Sequence, residues 1–292
     1  MKLTTDKKIL IVGLGLIGGS YAKALTKKGY TVSAITKEQQ SIDYALSEGI
    51  ISKGESYPSP ELIAEADVAV ICLYPTVFIE WIEENQKYFK SGAIITDVTG
   101  VKGAVVDRVQ SLLRSDLEFI SAHPMAGREV SGVVNSDDSI FAGANYVVTP
   151  TEKNTDAAIE LCSHLGEALG FARISTLSPK DHDEIIGFVS QLTHCIAVCL
   201  MTCQRTEHLE DYTGDSFRDL TRIARLNDEM WSELFLLNKD ALIEQMDTFT
   251  GELSRLRELL DKNDRAGLRE MMRYSTARRA LFDKKKSEEN KL

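Results

Sequence analysis

A glycine-rich turn near the N-terminus constrains the fold of this chain more than any other feature. The apolar run Ile9–Val12 leads into a G-x-G-x-x-G turn, and a helical pattern of apolar residues follows at once. The first glycine of such a turn permits a tight bend, the second lets a pyrophosphate approach the backbone, and the third lets the helix pack on the strand. The N–H groups at the helix start then face the phosphates. The pattern predicts a dinucleotide site formed by Gly13, Leu14, Gly15, Leu16, Ile17 and Gly18.

The order of the apolar runs predicts two domains. Strand-like runs alternate with helical patterns as far as Thr176, which is typical of a parallel α/β sheet. From Asp181 to Leu281 the pattern is helical, and no proline follows Pro179. We therefore expect a Rossmann-type, doubly wound domain over residues 1–176. An all-α domain over residues 177–292 would contribute substrate contacts, a subunit interface or both.

Composition narrows the class of function. With 34 basic and 44 acidic residues the chain has a net charge of −10, which argues against a nucleic-acid partner. No apolar stretch approaches the about 20 residues of a membrane span, and the N-terminus lacks the apolar segment of a signal peptide. Cys195, Cys199 and Cys203 lack the C-x-x-C spacing of zinc sites. We expect a cytoplasmic protein with a small-molecule substrate, no membrane partner and no metal.

A histidine motif supplies a candidate general base. His123 lies in Ser121–Gly127, which follows an apolar strand segment, so we expect it at a strand's carboxyl end beside the cofactor crevice. An imidazole titrates near neutral pH and accepts a proton from a substrate hydroxyl during hydride transfer. The alternative interpretation is a structural histidine.

Four motifs together resemble the prephenate and arogenate dehydrogenases of tyrosine biosynthesis. They are the loop Gly13–Gly19, His123–Gly127, Ser190–His194 and Phe217–Ala224, in the order and spacing of that family. The resemblance extends to Trp231 and implies a Rossmann domain joined to a helical dimerisation domain, and hence a homodimer. It also implies an oxidoreductase that uses NAD or NADP and expels carbon dioxide. Prephenate, giving 4-hydroxyphenylpyruvate, is the first expectation, and arogenate, giving tyrosine, is the alternative.

The resemblance also implies roles for individual residues. His123 would hydrogen-bond the ring hydroxyl, Arg222 would hold a substrate carboxylate, and further residues would lie near the substrate: Ser190, His194, Glu129, Asp183 and Trp231. Other interpretations remain open from the residues alone. Arg222 would form an ion pair with Asp219, Asp183 would cap a surface helix, and Trp231 would pack in the core.

The segment Asp97–Lys102 departs from the family pattern. Many members have a serine where this chain has Gly100. We therefore expect Thr99, one position earlier, to supply the catalytic hydroxyl instead.

The end of the second predicted strand bears on cofactor choice. NAD enzymes usually have an acid there, which binds the ribose 2′-hydroxyl, whereas this chain has Thr36 and Lys37. A hydroxyl and a cation suit a 2′-phosphate, so the sequence favours NADP over NAD, although Glu38 argues the other way.

Substrate choice stays open, because Asp215 would favour the ammonium of arogenate if it faced the substrate.

Two other classes of protein fit less well. The β-hydroxyacid dehydrogenases share the architecture but use a lysine in the first interdomain helix, and the stretch from Glu184 to Arg205 has none. A non-catalytic nucleotide sensor would keep the glycine loop but would have little need for His123, His194 and Arg222 together. Turnover distinguishes the sensor from the enzyme.

Overall fold

The first half of the chain is built on a six-stranded parallel sheet. The computed structural model describes residues 2–282. The strands are β1 (Lys8–Val12), β2 (Thr31–Ile35), β3 (Lys53–Glu55), β4 (Val68–Ile71), β5 (Ile94–Asp97) and β6 (Glu118–Phe119), in the order β3-β2-β1-β4-β5-β6. This is the Rossmann order, with the crevice for ligands at the carboxyl ends of β1 and β4. Residues 9–12 and 68–71 are all apolar and buried because helices cover both faces of the sheet.

Six helices accompany these strands and those of a second sheet. They are α1 (Leu16–Lys27), α2 (Gln39–Ser47), α3 (Pro60–Glu65), α4 (Pro75–Asn85), α5 (Gly103–Leu112) and α6 (Asp156–Leu169). The turn glycines Gly29, Gly49, Gly92 and Gly170 all have positive φ. The sequence did not predict β3 or α3, because three and six residues are too short to show a period.

A second sheet departs from the single parallel sheet that the sequence predicts. Strand β7 (Ser121–Met125) follows β6 after one residue and pairs antiparallel with β8 (Asn145–Thr149), which pairs parallel with β9 (Arg173–Thr176). Asp97, at the end of β5, accepts hydrogen bonds from the Ser121 hydroxyl at 2.6 Å and the Ala122 N–H at 3.1 Å. These bonds hold the start of β7 beside the main sheet.

The remainder of the described chain is helical. A run of 24 residues, Pro179–Thr202, consists of α7 (Pro179–Ile186), a π-helical segment (Gly187–Leu192) and α8 (Thr193–Thr202). By length and composition alone this run would suffice to cross a membrane, which differs from our expectation. The expectation was based on uninterrupted apolar stretches, whereas this run is interrupted by polar residues such as Asp183, Ser190 and His194. The later helices are α9 (Asp215–Thr221), α10 (Asp228–Leu237), α11 (Lys239–Asp261) and α12 (Arg265–Arg279).

The chain divides into two compact units after Leu242 rather than after Thr176. The unit Met1–Leu242 includes α7 to α10 because these helices bond to the sheet domain. Glu233 on α10 accepts the Thr76 N–H at 2.7 Å, and the Lys102 N–H donates to Asp183 on α7 at 2.8 Å. The domain boundary at residue 176 therefore stays a prediction. The unit Ile243–Leu292 contains most of α11 and all of α12.

Candidate active site

The glycine turn has the geometry of a phosphate-binding loop. Gly13 has φ +98°, and a Cβ there would lie 2.5 Å from the Cys72 carbonyl oxygen; a Cβ at Gly18 would lie 1.9 Å from the Gly13 oxygen. A Cβ at Gly15 would meet no atom within 4 Å. Packing thus requires glycine at the first and third positions, whereas the second is open for a ligand. Gly15 precedes α1, so the free N–H groups of that helix face the open side.

The side chains around this turn fit a dinucleotide. Leu14 and Leu16 are buried, and Ile17 is partly buried. At the end of β2 the Thr36 hydroxyl donates to the Glu38 carboxylate at 3.1 Å, and Lys37 is exposed. A hydroxyl, an ammonium and a carboxylate are therefore available where the adenosine ribose binds in this fold.

His123 lies within β7, opposite Val147, rather than after the end of a strand of the main sheet as expected. The difference arises because the chain leaves the main sheet at Ile120. His123 is partly buried, and its Nδ1 lies 2.9 Å from Nε2 of His182. The other ring nitrogen of His182, Nδ1, lies 2.8 Å from Oδ1 of Asp183. The three side chains form a continuous hydrogen-bonded chain.

Asp183 joins this chain to the start of α5. Its Oδ1 accepts the Lys102 N–H at 2.8 Å and its Oδ2 accepts the Gly103 N–H at 2.7 Å. An acid at a helix N-terminus satisfies free N–H groups and is favoured by the helix dipole. The Asp183 carbonyl also accepts from Asn238 at 2.9 Å. Asp183 therefore does not cap its own helix at the surface but binds a neighbouring helix inside the protein.

A buried ion pair lies beside the histidines. Lys102 is 0% exposed, and its ammonium donates to Asp97 Oδ2 at 2.9 Å and to the Ala122 carbonyl at 2.6 Å. Burial lowers the pKa of Lys102, whereas Asp97 opposes that shift. The pair binds the residue that precedes His123, so it holds β7 in place.

Thr99 belongs to the same cluster. Its hydroxyl hydrogen-bonds Asp97 and lies 2.9 Å from the Val101 carbonyl oxygen, and only 4% of the residue is exposed. The adjacent Gly100 faces the histidine, since a Cβ there would be 4.0 Å from His123 Cε1 and 3.5 Å from Leu234 on α10. The hydroxyl expected from Thr99 is thus directed at Asp97, and its catalytic role stays a prediction.

Burial lowers the pKa of His123 well below 6.5, and the neighbouring His182 and Lys102 act in the same direction. Burial also lowers the pKa of His182, against the effect of Asp183. Both imidazoles are consequently neutral at neutral pH, which is the state in which His123 can accept a proton.

His194 and Trp231 form a second group. His194 Nδ1 donates to the Ser190 carbonyl at 2.8 Å, which leaves Nε2 as an acceptor. The His194 ring lies on the Trp231 ring, with 3.8 Å between centroids and 33° between planes. Ser190 lies in the π-helical segment, a rare geometry that is frequent at functional sites. Burial lowers the pKa of His194.

Arg222 differs from the sequence interpretation in its partner and its burial. It forms an ion pair with Glu129, not with Asp219, and the two side chains are 65% and 45% exposed. The turn Arg222–Ala224 packs against α8, which carries His194, and Glu129 raises the pKa of His194 whereas Arg222 lowers it. Asp215 is 91% exposed and binds Arg218 at 2.6 Å.

Within residues 2–282, no group of three or more His, Cys, Asp and Glu residues is placed to hold a metal ion.

Several features of this site were missed from the sequence. The sequence did not indicate the link between His123 and His182, 59 residues apart, or the burial of Lys102 and Asp97. The position of Asp97 at a strand's carboxyl end is a usable signal, because ligand sites lie there. Lysine is almost never fully buried, so nothing in the sequence marks Lys102.

Comparison with known proteins identifies the family. Residues 21–174 match the family model for the prephenate dehydrogenase nucleotide-binding domain, and residues 178–274 match that for its dimerization domain. The chain belongs to the prephenate dehydrogenase family. The prephenate dehydrogenase of Bacillus subtilis is 31% identical over 271 residues, which cover 89% of this chain and 72% of that protein. The cyclohexadienyl dehydrogenase of Zymomonas mobilis is 29% identical and covers 90% of this chain and 91% of its own length.

A solved prephenate dehydrogenase also has the same fold. The Aquifex aeolicus enzyme, in complex with hydroxyphenyl propionate and NAD+, superposes with a TM-score of 0.89 at 29% identity. The superposition covers 97% of the chain described here and 100% of the Aquifex chain. The Rossmann domain followed by helices, expected from the sequence, is thus confirmed.

Proposed function

We propose that this protein oxidises and decarboxylates prephenate, giving 4-hydroxyphenylpyruvate. The observation that carries the proposal is His123: a partly buried imidazole whose pKa is lowered, in the same compact unit as an open dinucleotide-binding turn. The Bacillus and Aquifex relatives are prephenate dehydrogenases, which supports the same reaction.

In the proposed reaction His123 accepts the proton of the ring hydroxyl. As the C–O bond gains double-bond character, the hydride leaves C4, and a bound nicotinamide accepts it. The bond from the ring to its carboxylate then breaks, its electron pair moves through the ring onto the oxygen, and carbon dioxide leaves. The oxygen takes back the proton from His123, which gives the phenol and restores the neutral imidazole. The neutral form of His123 is the base, so its low pKa keeps it ready at neutral pH.

Binding of the substrate is assigned to the group near Trp231. We place a substrate carboxylate on Arg222, whose guanidinium offers two parallel N–H groups to it. Glu129 already binds that guanidinium, so it would share Arg222 with the substrate or release it. Trp231 presents a partly buried ring surface, and the His194 ring beside it adds a polar group at Nε2. We also place the Ser190 hydroxyl, one turn before His194, near the substrate.

We propose prephenate as the substrate before arogenate, because Asp215, the carboxylate that the sequence offers to an ammonium, is highly exposed and bound to Arg218. Glu129, which is paired with Arg222, is the carboxylate that an ammonium would use instead. Arogenate remains the second candidate, since the similar Zymomonas protein is a cyclohexadienyl dehydrogenase.

For the cofactor we propose NADP over NAD, because the exposed Lys37 ammonium and the hydroxyl of the preceding Thr36 can bind a 2′-phosphate. The carboxylate of Glu38, which accepts from Thr36, opposes a 2′-phosphate and favours a free 2′-hydroxyl. Lys37→Ala should raise the KM for NADP and leave that for NAD, whereas Glu38→Gln should lower the KM for NADP. A wild-type KM for NAD well below that for NADP would reverse this preference.

We further propose a cytoplasmic homodimer with neither membrane nor nucleic acid as partner. The match to a dimerization domain over residues 178–274 supports the dimer, as do the exposed apolar side chains of Ile185, Phe188 and Val189. Light scattering at micromolar concentration checks it, and a monomeric mass would contradict it.

The decisive experiment is an absorbance assay of the reduced nicotinamide. Purified protein is mixed with prephenate or arogenate and with NAD or NADP, in four combinations, and the product is tested for an aromatic ring. Turnover with prephenate and an aromatic product supports the proposal. Turnover with arogenate alone replaces the substrate. Silence in all four mixtures, with cofactor binding intact, favours the nucleotide sensor.

A further inference from the structure

Asp183 presents only acceptors to the groups around it. Its two oxygens receive the backbone N–H groups of Lys102 and Gly103, which always donate. A carboxylate that accepts from these groups also accepts from the third neighbour, Nδ1 of His182 at 2.8 Å. The proton of this contact therefore resides on His182 Nδ1.

The direction of the first bond fixes the direction of the second. A neutral imidazole has one N–H and one acceptor nitrogen, so a proton on His182 Nδ1 leaves Nε2 as the acceptor. The group that faces it at 2.9 Å is Nδ1 of His123, which must then carry a proton. The remaining nitrogen of His123, Nε2, is left with a free electron pair.

We propose that Asp183 and His182 are positioning residues which hold His123 in the tautomer that can accept a proton at Nε2. This inference rests on the proposed function, in which His123 is the base. Its geometric basis is independent of substrate: three side chains in series, two of them buried, with the outermost anchored to the first N–H groups of α5.

The same chain compensates for the charge that the reaction creates. When His123 Nε2 takes the hydroxyl proton, the ring becomes a cation and keeps its Nδ1–H bond to His182. The carboxylate of Asp183, two hydrogen bonds away, is the negative charge directed at it, whereas the Lys102 ammonium opposes it and is balanced by Asp97. A histidine whose second nitrogen is oriented by an acid is a recurring arrangement in catalysis.

A matched pair of variants separates this role from a structural one. Gln places its amide oxygen near the position of Nε2 and can still accept from His123, whereas Phe fills the space of the ring without an acceptor. Both leave the bond between Asp183 and α5 intact. We expect His182→Gln to keep kcat within about tenfold of wild type, and His182→Phe to lower kcat about 100-fold or more with KM unchanged, as for other oriented histidines.

The tautomer itself is measured by ¹⁵N NMR of histidine-labelled protein, with the His123 signals assigned by loss in His123→Asn. The expected result in wild type is a protonated Nδ1 and an unprotonated Nε2 at neutral pH, with loss of that pattern in His182→Phe. His208→Gln, on an exposed histidine, is the control and should change neither kcat nor the His123 signals.

A protonated Nε2 in wild-type His123 overturns the proposal, as does a folded His182→Phe variant with wild-type kcat. A protein without turnover on prephenate or arogenate refutes the proposed function instead, and the NMR pattern still decides whether the chain of hydrogen bonds sets the tautomer.

Discussion

Arg222 and Glu129 form an ion pair across 93 residues of sequence, with both side chains largely open to solvent. Exposed ion pairs contribute about 0–1 kcal/mol to stability. The pair therefore contributes little to the fold, and its proposed role in binding a substrate carboxylate is tested by removing the arginine.

Arg222→Ala should raise the KM for prephenate at least about tenfold, because the substrate carboxylate loses its guanidinium partner. The melting temperature should shift little, because the ion pair that is lost is exposed. Steady-state kinetics and a thermal melt measure both. Arg218→Ala is the matched control, since Arg218 is also exposed and paired, with Asp215. An unchanged KM in Arg222→Ala would remove Arg222 from the substrate site.

The pH profile should reflect the low pKa of His123. The base acts when neutral, so kcat/KM should rise with pH through a pKa below 6.5 and be flat above it. If kcat/KM instead rises through a pKa at or above 6.5, and this rise is absent in His123→Asn, the low pKa of His123 is contradicted.

Stability should change in the same pH range. In the unfolded chain His123 and His182 bind protons near pH 6.5, whereas in the folded protein their pKa values are lower. The unfolded state thus binds more protons as pH falls, so the free energy of unfolding should decrease below about pH 6.5. Urea denaturation at pH 5.5 and 7.5 tests this, and equal values would show that the histidines titrate normally in the fold.

Two alanine substitutions should separate packing from ligand binding in the glycine turn. Gly18→Ala places a Cβ 1.9 Å from the Gly13 oxygen and should destabilise the domain, whereas Gly15→Ala meets no atom within 4 Å and should fold normally. Gly15→Ala should nevertheless weaken dinucleotide binding, as measured by fluorescence titration or calorimetry. Full cofactor affinity in Gly15→Ala would mean that the pyrophosphate does not approach this turn.

Thr99→Val should destabilise the protein by about 1–3 kcal/mol, because it leaves the buried Asp97 with one hydrogen bond fewer. Thr99→Ser keeps the hydroxyl and serves as the control. Unaltered kcat in a folded Thr99→Val variant would show that the hydroxyl takes no part in the reaction.

Sequence patterns predicted the features that depend on local order. The glycine turn, the buried strands β1 and β4 and the change to helices after Pro179 are each visible in a short window, and all are present. His194 bonds the main-chain carbonyl of Ser190 one turn away, and the shared cleft that the sequence predicted for their two side chains stays a prediction.

Contacts between distant segments were not predictable in this way. The partner of Arg222 is 93 residues away rather than three, since Glu129 lies in the loop after β7. The position of β7 beside the main sheet depends on Asp97, and no periodicity in the sequence reveals its buried bonds to Ser121 and Ala122. For the same reason the sequence placed Asp183 near a substrate but did not connect it to His123.

The π-helical segment Gly187–Leu192 sets the phase between the two halves of the site. Asp183 and His194 are 11 residues apart, about three turns of an α-helix, so an uninterrupted helix would present them on one side. With the wider turn between them, His194 lies on Trp231, whereas Asp183 on α7 accepts hydrogen bonds from the start of α5. Since one residue corresponds to about 100° of rotation, a single deletion here would separate His194 from Trp231 and leave both residues in the chain. In this stretch the number of residues is under as strong a constraint as their identity.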